Sequence, residues 1–135
     1  ENGRVVMLEL RDCGLTGAVP AEIGRLSALR QLSLRGNQLT SMPAEIGQLT
    51  SLKRLYLNGN QLKSLPAEIW QLMSLEDLFL NGNQLTSVPA EIGQLTSLTQ
   101  LYLNDNKLTS LPAAIRELRA AGCYVQLGVG VTFDE

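Results

Sequence analysis

The chain lacks histidine altogether, contains only two cysteines among its 135 residues and is 4% aromatic. Histidine is the commonest general base and the commonest zinc ligand, so its absence removes Ser-His and Cys-His nucleophile pairs and most zinc sites. Two cysteines, Cys13 and Cys123, are too few for a disulfide-stapled secreted framework. Composition therefore excludes most catalytic chemistry, and nothing in the sequence indicates a cofactor or a metal ion.

The sequence also lacks long apolar runs and basic runs, and its formal net charge is −2. Its apolar segments are much too short to cross a bilayer, and this charge argues against a nucleic-acid groove. The absence of an Asn-x-Ser/Thr glycosylation acceptor favours an intracellular location, and we expect the cytoplasm. Leucine, by contrast, accounts for 27 of the 135 residues, which excludes a disordered chain.

The leucines belong to a repeat of 23 residues. Isoleucine, leucine and asparagine recur at this period, and so does proline, at Pro20, Pro43, Pro66, Pro89 and Pro112. Five units in register, from Val5 to about Leu118, predict an array of stacked coils. We therefore expect residues 1–135 to form a single domain in which residues 119–135 are a C-terminal capping segment.

Each unit predicts a short strand, a turn and a helical or irregular return. In the third unit Leu55-x-Leu57 alternates with the period of a strand, whereas Ile69 and Leu72 have the spacing of a helical turn. Pro66 suits the first position of that helical turn, where its missing N–H costs nothing. Strands separated by complete crossovers run parallel, so the units should build one parallel sheet.

Two Asn-Gly pairs, at positions 58–59 and 81–82, favour a different local structure. Asn-Gly after apolar alternation is the strongest short-range signal for a β-hairpin. A hairpin would leave the later apolar residues of each unit without a consistent face, and it would not explain the period. We therefore prefer the parallel arrangement.

A polar column follows the strands at the same period. A chain that turns out of a strand leaves backbone groups unpaired inside, and a buried amide can satisfy them between neighbouring coils. Cysteine is small and a weak donor, so it can substitute in the first unit. This column is predicted to be structural and consists of Cys13, Asn37, Asn60, Asn83 and Asn106.

We expect both cysteines to be buried structural thiols. About five strand spacings of 4.8 Å separate them, roughly 24 Å, whereas the Cα atoms of a disulfide lie within about 7 Å. Cys13 and Cys123 therefore cannot bridge within one chain. Trp70 replaces a glycine of the other units, and we expect it to be an exposed aromatic residue on the convex side.

The pattern Leu52-x-x-Leu55-x-Leu57-x-x-Asn60-x-Leu62 resembles the signature of the leucine-rich repeat family. Residues 65–75 are most similar to its intracellular subgroup associated with Ras-type small GTPases, whereas the first unit is one residue longer and resembles a plant-type repeat. The resemblance implies an α/β solenoid with a concave parallel β-sheet and short helical or irregular convex segments. It also implies a protein partner on the sheet and no catalysis by the repeats.

The outward positions of the predicted strands define a candidate binding surface. Tyr56, Phe79 and Tyr102 occupy the column between the strand leucines, so they should form a contiguous aromatic ladder. Exposed aromatic clusters mark interaction surfaces, but such rings also stack for sheet stability, and both interpretations stay open here. The flanking columns complete the predicted partner-binding set with Arg35, Arg54, Asp77, Asn58, Asn81 and Asn104.

Charge along these columns indicates the chemistry of a partner. Arg11, Arg35 and Arg54 lie in the early strands, whereas Glu76 and Asp77 lie further along. A partner with an acidic patch beside an apolar one would fit. We predict a non-catalytic module for protein interaction, and the resemblance implies a small GTPase or another signalling protein as its partner.

The two ends leave alternatives open. The first strand is preceded only by residues 1–4, which predicts either an excised fragment or a homo-oligomer formed through the N-terminal end. The high regularity also allows a self-associating scaffold, a consensus-like sequence, or the recognition part of a larger enzyme or effector. At the other end, we expect the polar tail of residues 132–135 to cap the array.

Overall fold

Each repeat forms one coil of chain, with a strand on one side and a short 3₁₀ helix on the other. The computed structural model describes residues 4–128 and 131–133. Its elements in chain order are β1 (Met7–Glu9), β2 (Thr16–Ala18), η1 (Ala21–Arg25), β3 (Gln31–Ser33), β4 (Gln38–Ser41), η2 (Ala44–Gln48), β5 (Arg54–Tyr56), η3 (Ala67–Gln71), β6 (Asp77–Phe79), η4 (Ala90–Gln94), β7 (Gln100–Tyr102), β8 (Ser110–Leu111), α1 (Ala114–Ala120), β9 (Tyr124–Gln126) and β10 (Thr132–Phe133).

Six strands form one parallel sheet in the order β1–β3–β5–β6–β7–β9. Leu32 pairs with Leu55, Leu55 with Leu78, and Leu78 with Leu101, so one column of leucines runs across the sheet. The predicted parallel fold is confirmed. Two smaller parallel pairings that the sequence did not indicate, β2 with β4 and β8 with β10, lie outside this sheet.

The Asn-Gly pairs turn the chain out of the strands instead of making hairpins. Gly36, Gly59 and Gly82 have φ between 71 and 72°, in the left-handed region that glycine adopts without steric cost. Asp12 and Asp105 take the same place in the first and fifth units with φ of 53 and 59°. Short polar Asp side chains tolerate this conformation better than most residues, so the turn survives without glycine.

The core is the stack of apolar columns between the sheet and the helical side. Leu32, Leu55, Leu78 and Leu101 have no exposed surface, and the same is true of Ile69 on the helical side. Each such side chain contributes about 1.5–3 kcal/mol when it is buried. Burial weakens in the first repeat, where Leu8, Leu10, Leu15 and Ile23 are only partly buried.

The asparagine column joins successive coils by hydrogen bonds. Asn60 Oδ1 accepts the backbone N–H of Leu39 in the preceding coil at 3.1 Å, while its Nδ2 donates to the carbonyls of Leu34 and Leu57 at 3.0 Å each. Asn37, Asn83 and Asn106 make the corresponding bonds. One amide therefore satisfies backbone groups of two coils, as the sequence predicts.

Cys13 does not reproduce this bonding. Its backbone N–H donates to Asn37 Oδ1 at 3.0 Å, and its thiol reaches only the carbonyl of Arg11, at 3.2 Å. Cys13 is exposed, so the expectation of a buried thiol is wrong for this residue. A thiol is too short and too weak a donor to span two coils as an amide does.

The helical side is built from 3₁₀ turns that start one residue after each proline. Pro66 has an extended conformation (φ −65°, ψ 145°) and its carbonyl accepts the N–H of Ile69 at 3.1 Å. The proline therefore occupies the position before the helix rather than the predicted first helical position. The last unit instead carries the α-helix α1, which is followed by Gly122 with φ of 103°.

Glycines on the helical side allow neighbouring coils to approach closely. A Cβ at Gly47 would lie 2.8 Å from Glu68 Cβ, and one at Gly24 would lie 2.8 Å from the carbonyl oxygen of Glu45. Real Cβ contacts are not this short, so side chains at these positions would push the coils apart.

Trp70 is the exception, because it occupies the equivalent position and is only 4% exposed. The expectation of an exposed residue is wrong, since this position faces the neighbouring coil rather than solvent. Accordingly, η3 and η4 are the least closely packed of the successive helical pairs. A cleft of about 430 Å³ lies between them and is lined in part by Trp70.

The C-terminal segment continues the sheet with one further strand, β9. Val125 pairs with Leu101 and is buried, whereas Tyr124 and Gln126 face solvent. Cys123 is buried as expected, and burial raises the pKa of its thiol. Within the predicted polar tail, β10 pairs with β8, and residues 134–135 lie outside the described residues. A capping role for residues 119–135 stays a prediction.

We expect Gly47→Ala to destabilise the protein, because its methyl group would collide with the Cβ and backbone of the next coil. Overpacking of this kind costs about 1–3 kcal/mol, measurable as a lower urea midpoint. Gly128→Ala is the control, since the nearest atoms to its Cβ lie at 3.9 Å. Equal stabilities of the two variants would contradict close packing between the coils.

We expect Asn60→Ala to cost about 1–3 kcal/mol in the free energy of unfolding, because it leaves the buried N–H of Leu39 without its acceptor and removes one of the two asparagine donors from the carbonyls of Leu34 and Leu57. Asn58→Ala is a matched control two residues away, since the Asn58 Oδ1 atom makes no hydrogen bond. Urea denaturation of both variants tests the difference. A loss for Asn60→Ala no larger than for Asn58→Ala would show that the amide ladder adds nothing to stability.

Candidate partner-binding face of the parallel sheet

The sheet brings the three predicted aromatic residues into contact. Tyr56 and Phe79 pack edge to face with ring centroids 5.0 Å apart, and Phe79 stacks on Tyr102 at 4.4 Å with an interplanar angle of 16°. The strand register places the three residues directly opposite one another. All three are half-buried, so their rings pack against one another and remain partly exposed to solvent.

A fourth ring extends this ladder. Tyr124 lies 5.7 Å from Tyr102 by ring centroids and is 53% exposed. The sequence analysis did not include Tyr124 in the ladder. Aligning Val125 with Leu101 would have revealed the neighbour, because Tyr124 then lies opposite Gln100. The aromatic surface therefore covers the four strands β5, β6, β7 and β9.

Ser33 marks the other end of the ladder. It occupies the column of the aromatic residues and pairs with Tyr56, but its side chain is small and 1% exposed. Its Oγ has no hydrogen-bond partner. The aromatic surface therefore stops at β5, and the strands before it present a different chemistry.

The predicted charged residues divide into a paired set and an unpaired set. Arg54 Nε lies 3.3 Å from Asp77 Oδ2, and the Thr99 hydroxyl donates to Asp77 Oδ1, also at 3.3 Å. Only 15% of the Asp77 side chain is exposed, against 53% for Arg54. Asp77 is thus engaged by its neighbours, whereas the guanidinium of Arg54 remains accessible.

Arg11 and Arg35 form the unpaired set. The N–H of Asp12 donates to the Arg35 carbonyl at 3.0 Å, which continues the β1–β3 ladder and places the two arginines on adjacent strands. Both are exposed, and within residues 4–128 and 131–133 neither forms an ion pair. Like charges opposite each other on neighbouring strands repel, although the exposed carboxylates of Glu9 and Asp12 lie in the same part of the chain and Asp12 Oδ1 lies against Gly36.

The three predicted asparagines line the same edge of the aromatic ladder. Asn58, Asn81 and Asn104 are half-buried, and their Oδ1 atoms are buried without a hydrogen-bond partner. Asn104 Nδ2 donates to Asp105 Oδ2 at 3.0 Å. The structure thus brings all nine predicted partner-binding residues onto one face, and their role in binding stays a prediction.

Other features of the described residues do not form a chemical site. They contain no group of three or more His, Cys, Asp or Glu side chains that could hold a metal ion. None of their helices combines the length and the apolar character needed to span a bilayer. An apolar cleft of about 420 Å³ opens at the first repeat, where Leu8, Leu10, Leu15, Ile23 and Leu26 contribute to its walls.

This geometry defines a class of protein: a parallel-stranded repeat solenoid with one decorated sheet face. Residues 4–121 match a family model described as a leucine-rich repeat region. The chain therefore belongs to the leucine-rich repeat family. Curated protein sequences contain no significant match to the chain.

Solved structures with the same fold include plant receptor domains from Arabidopsis thaliana. A chain of the BIR3–SERK2 complex is 30% identical with a TM-score of 0.80, and the match covers 95% of this chain and 70% of that one. The BIR2 ectodomain is 27% identical with a TM-score of 0.79, covering 95% and 69%. The GASSHO1/SCHENGEN3 ectodomain, solved with CASPARIAN STRIP INTEGRITY FACTOR 2, is 28% identical with a TM-score of 0.77. That match covers 97% of this chain but only 15% of the ectodomain.

Proposed function

We propose that this protein is a non-catalytic interaction module that binds a protein partner on the outward face of its parallel sheet. The observation that carries the proposal is the contiguous ladder of Tyr56, Phe79 and Tyr102, which Tyr124 extends. Tyrosine is enriched among the residues that dominate binding energy, and prepacked rings lose little conformational entropy on binding. Two of the similar solved structures, BIR3–SERK2 and GASSHO1/SCHENGEN3, are complexes with protein partners.

The identity of the partner and the location are finer proposals. A small GTPase or another signalling protein is the proposed partner because residues 65–75 resemble the Ras-associated subgroup. The plant-type character of the first repeat is likewise a proposal. The cytoplasm likewise stays a prediction. The similar plant structures include ectodomains, which is one reason to test location directly by fractionation of the source cells.

We expect the triple variant Tyr56→Ala/Phe79→Ala/Tyr102→Ala to bind its partner at least about tenfold more weakly, because truncation of hot-spot residues costs about 2 kcal/mol or more. The partner would be selected from a displayed protein library against the unmodified chain. Isothermal titration calorimetry then measures the dissociation constant, and a cooperative urea transition verifies that the variant is folded.

A triple variant on the helical side serves as the matched control. Gln48→Ala, Gln71→Ala and Gln94→Ala truncate the same exposed position in three successive repeats. We expect this variant to bind with unchanged affinity. Unchanged binding by the aromatic variant, or an equal loss in both variants, would contradict a binding site on the sheet.

Self-association through the N-terminal end is the second candidate function. The apolar cleft at the first repeat favours it, together with Val5 and Met7, which are 46% and 58% exposed. Among the described strands, β1 is also at one edge of the sheet, and an edge strand offers backbone groups to another chain.

If this surface joins two copies, the mean mass in sedimentation velocity should rise with protein concentration. Met7→Lys should return the protein to a monomer, because it places a charge in the interface. Met73→Lys is the control, since Met73 is similarly exposed, at 51%, but lies outside the sheet. A monomer at every concentration would remove this candidate.

A further inference from the structure

The outward face of the sheet is divided into a basic part and an aromatic part. Arg11 and Arg35 lie beside the first two strands, while the rings of Tyr56, Phe79 and Tyr102 cover the strands that follow. The charged residues of the whole chain show the same trend, because basic residues predominate in its first part and acidic residues in its second. Residues 1–57 contain seven basic and five acidic residues, whereas residues 58–135 contain four and eight.

Each part selects a different chemical group. Arg11 and Arg35 form no ion pair within the described residues, not even with nearby Glu9 and Asp12, so their guanidinium groups can bind carboxylates of a partner. The stacked rings present apolar surface, which favours aliphatic or aromatic side chains. Arg54 keeps an accessible guanidinium at the boundary although it is paired with Asp77.

The column of Asn58, Asn81 and Asn104, which runs beside the rings and continues the column of Arg11 and Arg35, points to a peptide as the bound molecule. The Oδ1 atoms of Asn58, Asn81 and Asn104 are buried without a donor, at a cost of about 1–3 kcal/mol for each acceptor. Rotation of an amide side chain would offer its oxygen and its N–H groups together, which matches the donor and acceptor of a peptide group.

We infer that the partner contributes an extended peptide segment with acidic side chains at one end and apolar side chains at the other. Its acidic end lies over Arg11 and Arg35, and its apolar end lies over Tyr56, Phe79 and Tyr102. One strand spacing separates Arg35 from Tyr56, and three spacings, roughly 14 Å, separate Arg35 from Tyr102, so the apolar side chains fall within about four residues of the acidic ones in an extended peptide. The inference rests on the proposed function of this face.

The test begins with selection of 12-residue peptides from a random displayed library on the full chain. We expect the enriched peptides to carry two or more Asp or Glu residues together, with a cluster of apolar side chains that begins within about four residues of them. One such synthetic peptide is then titrated into the chain and its variants by calorimetry. Enrichment of basic peptides, of peptides without an acidic cluster, or of no peptide would overturn the inference.

Charge reversal locates the acidic end. Arg11→Glu/Arg35→Glu should weaken binding of the peptide about tenfold, because two attractions become two repulsions. Arg25→Glu/Lys63→Glu makes the same change in net charge at exposed positions away from the sheet, and we expect an effect below about twofold. Raising NaCl should weaken binding by the unmodified chain more than binding by the Arg11/Arg35 variant.

The triple aromatic variant distinguishes failure of the acidic-segment inference from failure of the proposed function. If truncation of the three rings abolishes peptide binding while reversal of Arg11 and Arg35 has no effect, the proposed function stands and the acidic segment is refuted. If neither change affects binding, both proposals fail. The Arg25/Lys63 control could also lose as much binding as the Arg11/Arg35 variant. That result would show that net charge, and not the position of the two arginines, determines binding, and it would overturn the inference.

Discussion

A coil of 23 residues cannot bury its own leucines, and this constraint determines the rest of the structure. Leu55 is fully buried because Leu32 and Leu78 lie on either side of it in neighbouring strands. Asn60 also depends on a neighbouring coil, since its amide bonds to backbone groups of its own coil and of the preceding one. Apolar burial and amide bonding therefore both require stacking, and both fail in an isolated repeat.

Stacking also decides which residues are left for function. Because strand side chains alternate, fixing the leucines inside fixes the residues beside them outside. The outward columns are then held in register at one strand spacing, which is how rings from three separate repeats come to pack against one another. The face is assembled by the core, so a change on it can alter binding without altering the fold, and the fold permits different chemistry in neighbouring strands.

Much of this could be predicted from the sequence, because a period seen in five units determines strand, turn and return together. The aromatic ladder followed directly from that period.

Three side chains were harder to place. Trp70 was expected to be exposed because no sequence pattern says that its position faces the neighbouring coil. Cys13 shares a column with the asparagines, but its side chain is too short to bond to two coils. Tyr124 lies in a strand that does not follow the 23-residue period. The pairing of Asp77 with Arg54 and Thr99 depends on side-chain conformation, which periodicity does not determine.

The central claim is that the stacked coils display a protein-binding surface on the outward side of the sheet. Backbone ¹H–¹⁵N chemical-shift mapping with a bound protein partner tests it most directly, because it locates the contact without changing a residue. The account predicts that the largest shifts lie at the outward positions of β3, β5, β6 and β7, with η1–η4 nearly unchanged. Shifts concentrated in η1–η4, with the strands unaffected, would contradict it.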